Sequence, residues 1–445
     1  MLGTLLDLQV DRIAHGGVAV ARHDGRVVFV ADAIPGERVR ARVTDASKDR
    51  FWRADTVEVL DASPDRREHV WAEASVDRDP AERPGGAEFG HIRIERQRAL
   101  KGEVLADALS RMGGVELAPE VRAVDAELAP GVDGELGTGW RTRVRLHVDE
   151  EGRVGPYAAR SRRVIPVASL PLAAAELAAL APLGAPMPGA GAIDLVLPST
   201  GEAQLVTHEA AAEPAQRGER GQRDRRGRRG GARRPQPARQ AAPVDTVVVE
   251  ELVAGRRFQV DRGGFWQVHR GAAATLSGAV QRAIDVERFD PRAANLDLYG
   301  GVGLLAAAVG DRFGGATRIT TVEAEPRATM HAGENLAEWV GAQAVTARVD
   351  RYLAELVATA GGAERASLAG GTVVLDPPRA GAGREVVDRL AELGPAQIVY
   401  VACDPVALAR DVALFRAHGY EPEQVEAFDL FPNTHHLEAV ARLAR

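Results

Sequence analysis

The feature that most constrains this chain is the alternation of short apolar runs with helical patterns in its C-terminal part. The runs end at Leu298, Val322, Leu375 and Ala402, and each is followed by a turn and a helical segment. Alternation of this kind predicts a doubly wound, Rossmann-like α/β sheet with parallel strands. In such a sheet, ligands bind beyond the carboxyl ends of the strands. We therefore predict an α/β domain over residues 259–445, with a site at that edge.

The N-terminal 60 residues have a different pattern. Short alternating strands are separated by the turn signals Gly16-Gly17, Asp24-Gly25 and Pro35-Gly36. This predicts a small OB-like β-barrel over residues 1–62, of the kind that binds oligonucleotides. The segment Lys48–Arg53 mixes cations with aromatic rings, which suits phosphate contact and base stacking. A solvated hairpin with one buried ring would explain it equally simply.

Residues 63–258 mix helical and strand patterns and predict a central α+β domain. Within it, residues 217–240 hold ten arginines against two acids, in a chain whose net charge is −7. That composition predicts a disordered insertion at about 211–243. Two interpretations stay open, a solvated insertion and a phosphate-binding arm. No apolar run is as long as a membrane span, so we expect a cytoplasmic protein without a membrane partner.

A glycine turn follows the first strand of the C-terminal domain. The run Asp297–Gly303 contains Gly301 and Gly303, and Glu323 ends the next strand, 20 residues after Gly303. Such a turn with a carboxylate at that distance suits an adenosine-containing cofactor whose ribose binds the acid. Position 306 is Ala where a third glycine would favour NAD. Asp297 favours a cationic cofactor, S-adenosylmethionine, because a carboxylate attracts a sulfonium and repels a pyrophosphate.

Two further strands bring reactive groups to the same edge. Asp376 is followed by two prolines and Arg379, where amino-group methyltransferases place an aromatic ring, so exocyclic-amine methylation is disfavoured. Cys403 is the only cysteine, which excludes intrachain disulfides and cysteine-ligated clusters. Its place between a strand and the helix beginning near Pro405 predicts a nucleophile, with a thiolate promoted by partial exposure and the helix N-terminus.

The C-terminal segment supplies a base. Glu438 is the candidate, because a carbon that has accepted a substituent must then lose a proton. The adjacent His435 and His436 have no third ligand at a suitable spacing, so we predict a hydrogen-bonded turn and no metal site.

These residues resemble the RNA (uracil-5-)-methyltransferase family, in the branch with an N-terminal TRAM barrel. The family's segments occur in order along the chain: Phe265–His269, Asp297–Gly303, Val374–Arg379, Ile398–Arg410 and Phe431–Glu438. The resemblance implies that Cys403 adds to C6 of uracil and that Glu438 removes the C5 proton. It also implies that cofactor contacts come from Gln267, Tyr299, Glu323 and Asp376, with Asp350 as a looser candidate.

The sequence departs from the family pattern in several places. Cluster-ligating cysteines are missing around residues 83–87 and at Leu170, so we expect no iron–sulfur cluster and apolar packing in its place. Leu304 cannot donate the side-chain hydrogen bond that relatives make there, and His269 and Asp404 replace asparagines. Asp404 is expected to raise the pKa of the neighbouring thiol.

Together these features predict an S-adenosylmethionine-dependent enzyme that makes 5-methyluridine in RNA and acts as a monomer. The barrel favours 23S ribosomal RNA over transfer RNA. One alternative is a non-catalytic RNA-binding factor with a decayed methyltransferase domain, which only Leu304 and Asp404 support.

Overall fold

The computed structural model describes residues 1–48, 50–210 and 245–445. The insertion predicted at about 211–243 lies outside the described residues. None of the described helices is long and apolar enough to cross a membrane.

The N-terminal part is the predicted small barrel. Its strands are β1 (Leu5–Ala14), β2 (Val18–His23), β3 (Arg26–Ala31), β4 (Arg38–Asp45) and β5 (Phe51–Asp61). They close in the order β1-β2-β3-β5-β4. Alternate residues of β1 point into the barrel, where Leu8 and Val10 are each 1% exposed. This alternation is what a closed barrel with one buried face requires.

The structure corrects the interpretation of Trp52 as a base-stacking ring. Trp52 lies within β5, is 3% exposed and packs in the barrel core. The guanidinium of Arg26 covers it, 4.9 Å from the ring centroid. Phe51 and Arg53, on the opposite face of β5, stay partly exposed. Trp52 is therefore a buried ring, because the period of two in a strand sends neighbouring side chains to opposite faces.

The central part begins with α1 (Ile94–Ala108) and β6 (Val121–Ala123). It continues with β7 (Arg143–Val148), β8 (Val154–Gly155), α2 (Ala175–Leu180), β9 (Ala190–Val196) and β10 (Gln204–Glu209), and then the hairpin β11 (Val248–Val253) and β12 (Arg256–Asp261). Strands β7 to β10 form a four-stranded sheet in the order β10-β9-β7-β8. Leu170 and Ala87 are buried in one apolar cluster with Trp71 and Trp140, at the place where the sequence analysis expected apolar packing.

The C-terminal part contains α3 (Ala272–Ala283), β13 (Asn295–Leu298), α4 (Leu304–Phe313), β14 (Ile319–Glu323), α5 (Pro326–Asn335), β15 (Ala342–Thr346), α6 (Val349–Thr359) and α7 (Gly362–Ala369). It ends with β16 (Thr372–Leu375), α8 (Gly383–Leu393), β17 (Gln397–Ala402), α9 (Pro405–Ala417), β18 (Glu421–Asp429) and β19 (Glu438–Ala444). The sheet order is β15-β14-β13-β16-β17-β19-β18-β6. Strands β13 to β17 are mutually parallel where they pair, as the alternation predicted.

Two elements cross the boundary that the sequence analysis placed after residue 258. β12 spans that position, and Phe258 and Val260 pack in the same core as α3 and α4. β6, far earlier in the chain, pairs in parallel with β18 at the edge of the large sheet. The core of the C-terminal sheet therefore draws on residues on both sides of the predicted boundary.

Candidate active site

Two neighbouring strands bring Cys403 and Glu438 to the same edge of the sheet. β17 and β19 are antiparallel, and their last register pair is Ala402 with Ala439. Cys403 directly follows Ala402 in the chain, and Glu438 directly precedes Ala439. Glu438 is 6% exposed and Cys403 is partly exposed. Asp376 follows β16, which pairs with β17 on its other side.

The electrostatics of Cys403 differ from the sequence expectation. Burial raises the pKa of the thiol to about 12, and the charges of Glu438 and Asp376 add to the rise, while Arg379 opposes it. Asp404 contributes in the predicted direction. At the start of α9, the Asp404 side chain accepts the backbone N–H groups of Val406 (3.0 Å) and Ala407 (2.8 Å), so these two donors are already hydrogen-bonded. The raised pKa favours the protonated thiol.

The two carboxyl groups beside the thiol also favour their protons. Burial, with a smaller contribution from the Asp297 carboxylate, raises the pKa of Asp376 to about 7. Burial raises the pKa of Glu438 well above its usual value, with Asp376 adding to the rise and Arg379 opposing it. Little positive charge offsets these carboxyl groups. A cationic ligand would stabilise their ionised forms, and the site would in turn attract such a ligand.

The glycine turn after β13 is shaped by backbone conformations that few residues adopt. Tyr299, Gly301 and Gly303 have φ values of 63°, 54° and 88°. Glu323 lies directly beside this turn: its carboxylate accepts the N–H of Gly301 at 3.1 Å and that of Glu325 at 2.8 Å. Each carboxylate oxygen has a second lone pair, so Glu323 can still accept hydroxyl groups of a ribose.

Asp297 lies underneath the turn. It is 0% exposed, and its Oδ2 accepts the hydroxyl of Thr321 at 2.8 Å. Its Oδ1 has no hydrogen-bond partner among the described residues. Burial raises the pKa of Asp297 to about 6. An unpartnered buried carboxylate oxygen beside a glycine turn fits a cationic cofactor better than an anionic one.

The remaining predicted cofactor residues are Tyr299 in the turn itself, Asp350 at the start of α6 and Gln267 in the loop before α3. Burial and the nearby Asp350 raise the pKa of Tyr299 to about 12. Asp350 itself forms a bidentate pair with Arg348, at 3.0 and 2.8 Å. Gln267 is partly exposed in the loop before α3, and this loop is tied to the central part because Val268 O accepts the N–H of Thr142 at 2.8 Å.

The sequence analysis missed the residues that hold the loop leading to Glu438. Asn433 adopts a φ of 66°, its backbone N–H donates to Gln97 Oε1 at 2.7 Å, and its Oδ1 accepts from Arg67 at 2.7 Å. The buried Lys101 donates to Asp429 and to Phe431 O. A lysine and a glutamine on the apolar face of α1 were the available signal, since charged side chains are rarely buried without a partner.

The pocket that contains Cys403 extends beyond the C-terminal part. It is also lined by His15 and Gly17 from the tip of the barrel, by Lys101 from α1, and by His435 and His436. The described residues include no group of three or more His, Cys, Asp or Glu arranged to hold a metal.

Comparison with known protein families gives two matches. The family described as tRNA (Uracil-5-)-methyltransferase matches residues 357–445, and the TRAM domain matches residues 1–57.

Relatives of known sequence match nearly the whole chain. An uncharacterized RNA methyltransferase of Streptomyces avermitilis is 37% identical, over 99% of this chain and 98% of its own. The 23S rRNA (uracil(1939)-C(5))-methyltransferase RlmD of Pseudomonas entomophila is 31% identical, over 98% of this chain and 92% of its own.

The fold is also found in a solved structure. The Pyrococcus abyssi tRNA (uracil-54, C5)-methyltransferase, in complex with S-adenosyl-L-homocysteine, superposes with a TM-score of 0.63 at 20% identity, over 98% of this chain and 99% of that one. The architecture, the two matched domains and the relatives agree with the resemblance noted in the sequence. The chain therefore belongs to the S-adenosylmethionine-dependent RNA (uracil-5-)-methyltransferase family, in the branch that carries a TRAM domain.

Proposed function

We propose that this protein methylates C5 of a uridine in 23S ribosomal RNA, with Cys403 as nucleophile and Glu438 as general base. The observation that carries the proposal is the register of β17 and β19, because its last pair, Ala402 with Ala439, directly adjoins Cys403 and Glu438. The ribosomal substrate is supported by the RlmD relative, which is matched over 98% of this chain. Transfer RNA is the second candidate, favoured by the description of the matched family.

In the proposed mechanism, the Cys403 thiol first loses its proton to solvent. Sγ then forms a bond to C6 of the uracil, and the electron pair of the C5–C6 double bond moves towards C5 and O4. S-adenosylmethionine supplies an electrophilic methyl group on a positively charged sulfur. After C5 has gained its methyl group, Glu438 removes the C5 proton, the C5–C6 double bond re-forms and Sγ leaves as the thiolate. A nucleophile on one face and a base within reach of C5 are what this sequence of steps requires.

We assign the cofactor to the glycine turn. Glu323 is suited to the ribose hydroxyls, and the backbone at Gly301 and Gly303 allows close approach of the ligand. Asp297 and Asp376 provide negative charge near the sulfonium and amino groups, with Tyr299 and Gln267 as further contacts. A positive charge next to Asp376 lowers the pKa values of Asp376, Glu438 and Cys403 together, because each of these pKa values is raised partly by a neighbouring anion.

The test separates the roles of the two reacting residues. We expect Cys403→Ala to abolish transfer of tritiated methyl groups to RNA, because no other cysteine exists in the chain. We expect Glu438→Gln to form the bond to C6 but to release RNA slowly, so a protein–RNA adduct should persist in denaturing gels. Glu421→Gln, whose side chain is 58% exposed at the end of β18, is the matched control and should behave like the wild type.

The substrate is tested by nucleoside mass spectrometry of ribosomal and transfer RNA from a deletion strain. Loss of one 5-methyluridine from 23S RNA, restored by the wild type and not by Cys403→Ala, is the expected result. Loss from transfer RNA would favour the second candidate. Full methylation by Cys403→Ala would refute the mechanism, and RNA binding without any methyl transfer would favour a non-catalytic factor.

A further inference from the structure

The tip of the N-terminal barrel is part of the pocket that contains Cys403. The turn between β1 and β2 presses against the loop that leads to Glu438. A Cβ added at Gly17, whose φ is +72°, would lie 2.6 Å from the Cβ of His435 and 3.3 Å from the ring of Phe89. Only glycine fits so close an approach at that φ. The tip of the barrel therefore packs directly against the loop that leads to Glu438.

One side-chain contact joins this tip to the residue after the nucleophile. His15 Nε2 donates to Asp404 Oδ2 at 2.9 Å, across 389 residues of sequence. The other oxygen of Asp404 is occupied by the first amides of α9. Asp404 thus uses one oxygen to cap the helix that follows Cys403 and the other to bind the barrel.

The contact between His15 and Asp404 also has an electrostatic effect near the thiol. The charges of three carboxyl groups, Glu438, Asp376 and Asp404, raise the pKa of Cys403, and the guanidinium of Arg379 lowers it. The other charged or titratable groups that line the pocket near His15 are Lys101, His435 and His436. Lys101 is committed to Asp429, so it is not free to neutralise Asp404. His15 is the group in direct contact with that carboxylate.

We propose that His15 is a positioning residue of the active site, which holds the barrel tip against the helix after Cys403 and offsets the charge of Asp404 beside the thiol. The inference rests on the proposed role of Cys403 as nucleophile. The hydrogen bond to Asp404 raises the pKa of His15 above its usual value, which favours the imidazolium that the role requires. Burial raises the pKa of Asp404, but the His15 hydrogen bond and the helix amides outweigh it and lower that pKa overall.

The single cysteine of the chain makes a direct test possible. The reaction of the purified full-length protein with methyl methanethiosulfonate, followed by intact mass, reports only on Cys403. At pH 6, where His15 carries its proton, we expect His15→Gln to react about two- to threefold more slowly than the wild type, the size typical of a partly exposed ion pair. Towards pH 9, as His15 in the wild type loses its proton, the two rates should converge.

Two further variants decide whether the effect runs through Asp404. Asp404→Asn keeps a side-chain oxygen for the helix cap and removes the charge, so adding His15→Gln to this variant should leave the pH 6 rate unchanged. His23→Gln, at a barrel histidine that lies 3.5 Å from Asp24, is the matched control and should follow the wild type at both pH values.

The proposal is overturned if His15→Gln reacts like the wild type at pH 6, if it is slowed equally at pH 6 and pH 9, or if its effect persists in the Asp404→Asn background. The reagent attacks the thiol whether or not the protein transfers a methyl group. The measured thiol reactivity can therefore be interpreted even if the protein does not methylate RNA.

Discussion

At the scale of single residues, the candidate active site is a cluster of acidic groups whose pKa values are raised. Cys403, Glu438 and Asp376 each have a pKa above the usual range, chiefly because burial penalises the charged form. The sequence analysis named these residues correctly as members of one edge, but it expected a helix N-terminus to activate the thiol. In the structure, the Asp404 side chain accepts the first amides of that helix, and burial raises the pKa of the thiol.

The retained proton on Asp376 gives a testable pH dependence of stability. Because its folded pKa of about 7 lies above the usual 3.8, ionisation costs the folded state stability as the pH rises from 4 to 7, and the cost is absent below pH 4. We expect Asp376→Asn to raise the free energy of unfolding at pH 8 by about 1–2 kcal/mol, after allowance for partial solvent screening. At pH 4 the variant and the wild type should be equally stable.

Urea denaturation at the two pH values is the measurement. Asp24→Asn, at a side chain that is 90% exposed on the barrel, serves as the control and should show no such difference. An equal effect of Asp376→Asn at pH 4 and pH 8 would contradict the assigned pKa. The same variant should bind the cationic cofactor more weakly, since it loses the negative charge.

At the scale of elements, the glycine turn after β13 is the most constrained connection in the sheet. A Cβ at Gly300 would lie 1.9 Å from the Thr321 hydroxyl and 2.5 Å from Asp297 Oδ2, so the turn packs directly on the buried carboxylate. The turn cannot move outwards without disturbing Glu323, which binds Gly301 N. Its shape therefore depends on a residue without a side chain.

We expect Gly300→Ala to displace the turn, to reduce binding of S-adenosylhomocysteine by at least tenfold, and to destabilise the fold by about 1–3 kcal/mol through overpacking. Isothermal titration calorimetry and thermal unfolding give the two quantities. Gly361→Ala is the control, because nothing lies within 4 Å of the added Cβ there. Cofactor binding by Gly300→Ala at wild-type affinity would show that the ligand lies elsewhere.

Most elements were predictable because their signals are local. The strands ending at Leu298, Leu375 and Ala402 are apolar runs bounded by turn residues, and the structure ends them at those positions. β6 was not predicted, since three residues carry too little pattern and its pairing with β18 spans about 300 positions. The burial of Trp52 was not predicted from the composition of its segment. The face that a side chain takes depends on its position in the alternation along β5, and composition does not give that position.

Some residues of the candidate site could be predicted from local sequence patterns, and others could not. Cys403 and Glu438 follow or precede recognisable strands, and the family pattern contains both. His15, Gln97 and Lys101 act through contacts with residues more than 300 positions away, and no local pattern encodes such a contact.

At the scale of the whole molecule, a buried arginine joins the barrel to the central part. Arg83 is 4% exposed, and its guanidinium donates to Asp32 and to Thr56 O of the barrel side and to Val76 O and Arg78 O of the following segment. Asp32 is held at a φ of 59° next to it. Removing the guanidinium leaves a carboxylate and several carbonyl groups without partners.

We expect Arg83→Leu to lower the free energy of unfolding by about 3–5 kcal/mol, the usual cost of breaking a buried ion pair from one side. Guanidinium chloride unfolding measures this, and Arg78→Ala is the control because the exposed Arg78 contributes only its carbonyl group here. A loss below 1 kcal/mol would mean that water reaches this junction and replaces the lost donors.

The place of β19 in the sheet has a consequence for how the protein is made. β19 comes after every other strand of the sheet in the chain, yet it lies between β17 and β18, and β18 in turn receives β6 from the first third of the sequence. During synthesis, β6 must wait without its partner until nearly the whole described chain has been translated, because long-range pairings of this kind form late. The strand that fills the last gap begins with Glu438, so the edge that carries Cys403 and Glu438 is completed only when the sheet is completed.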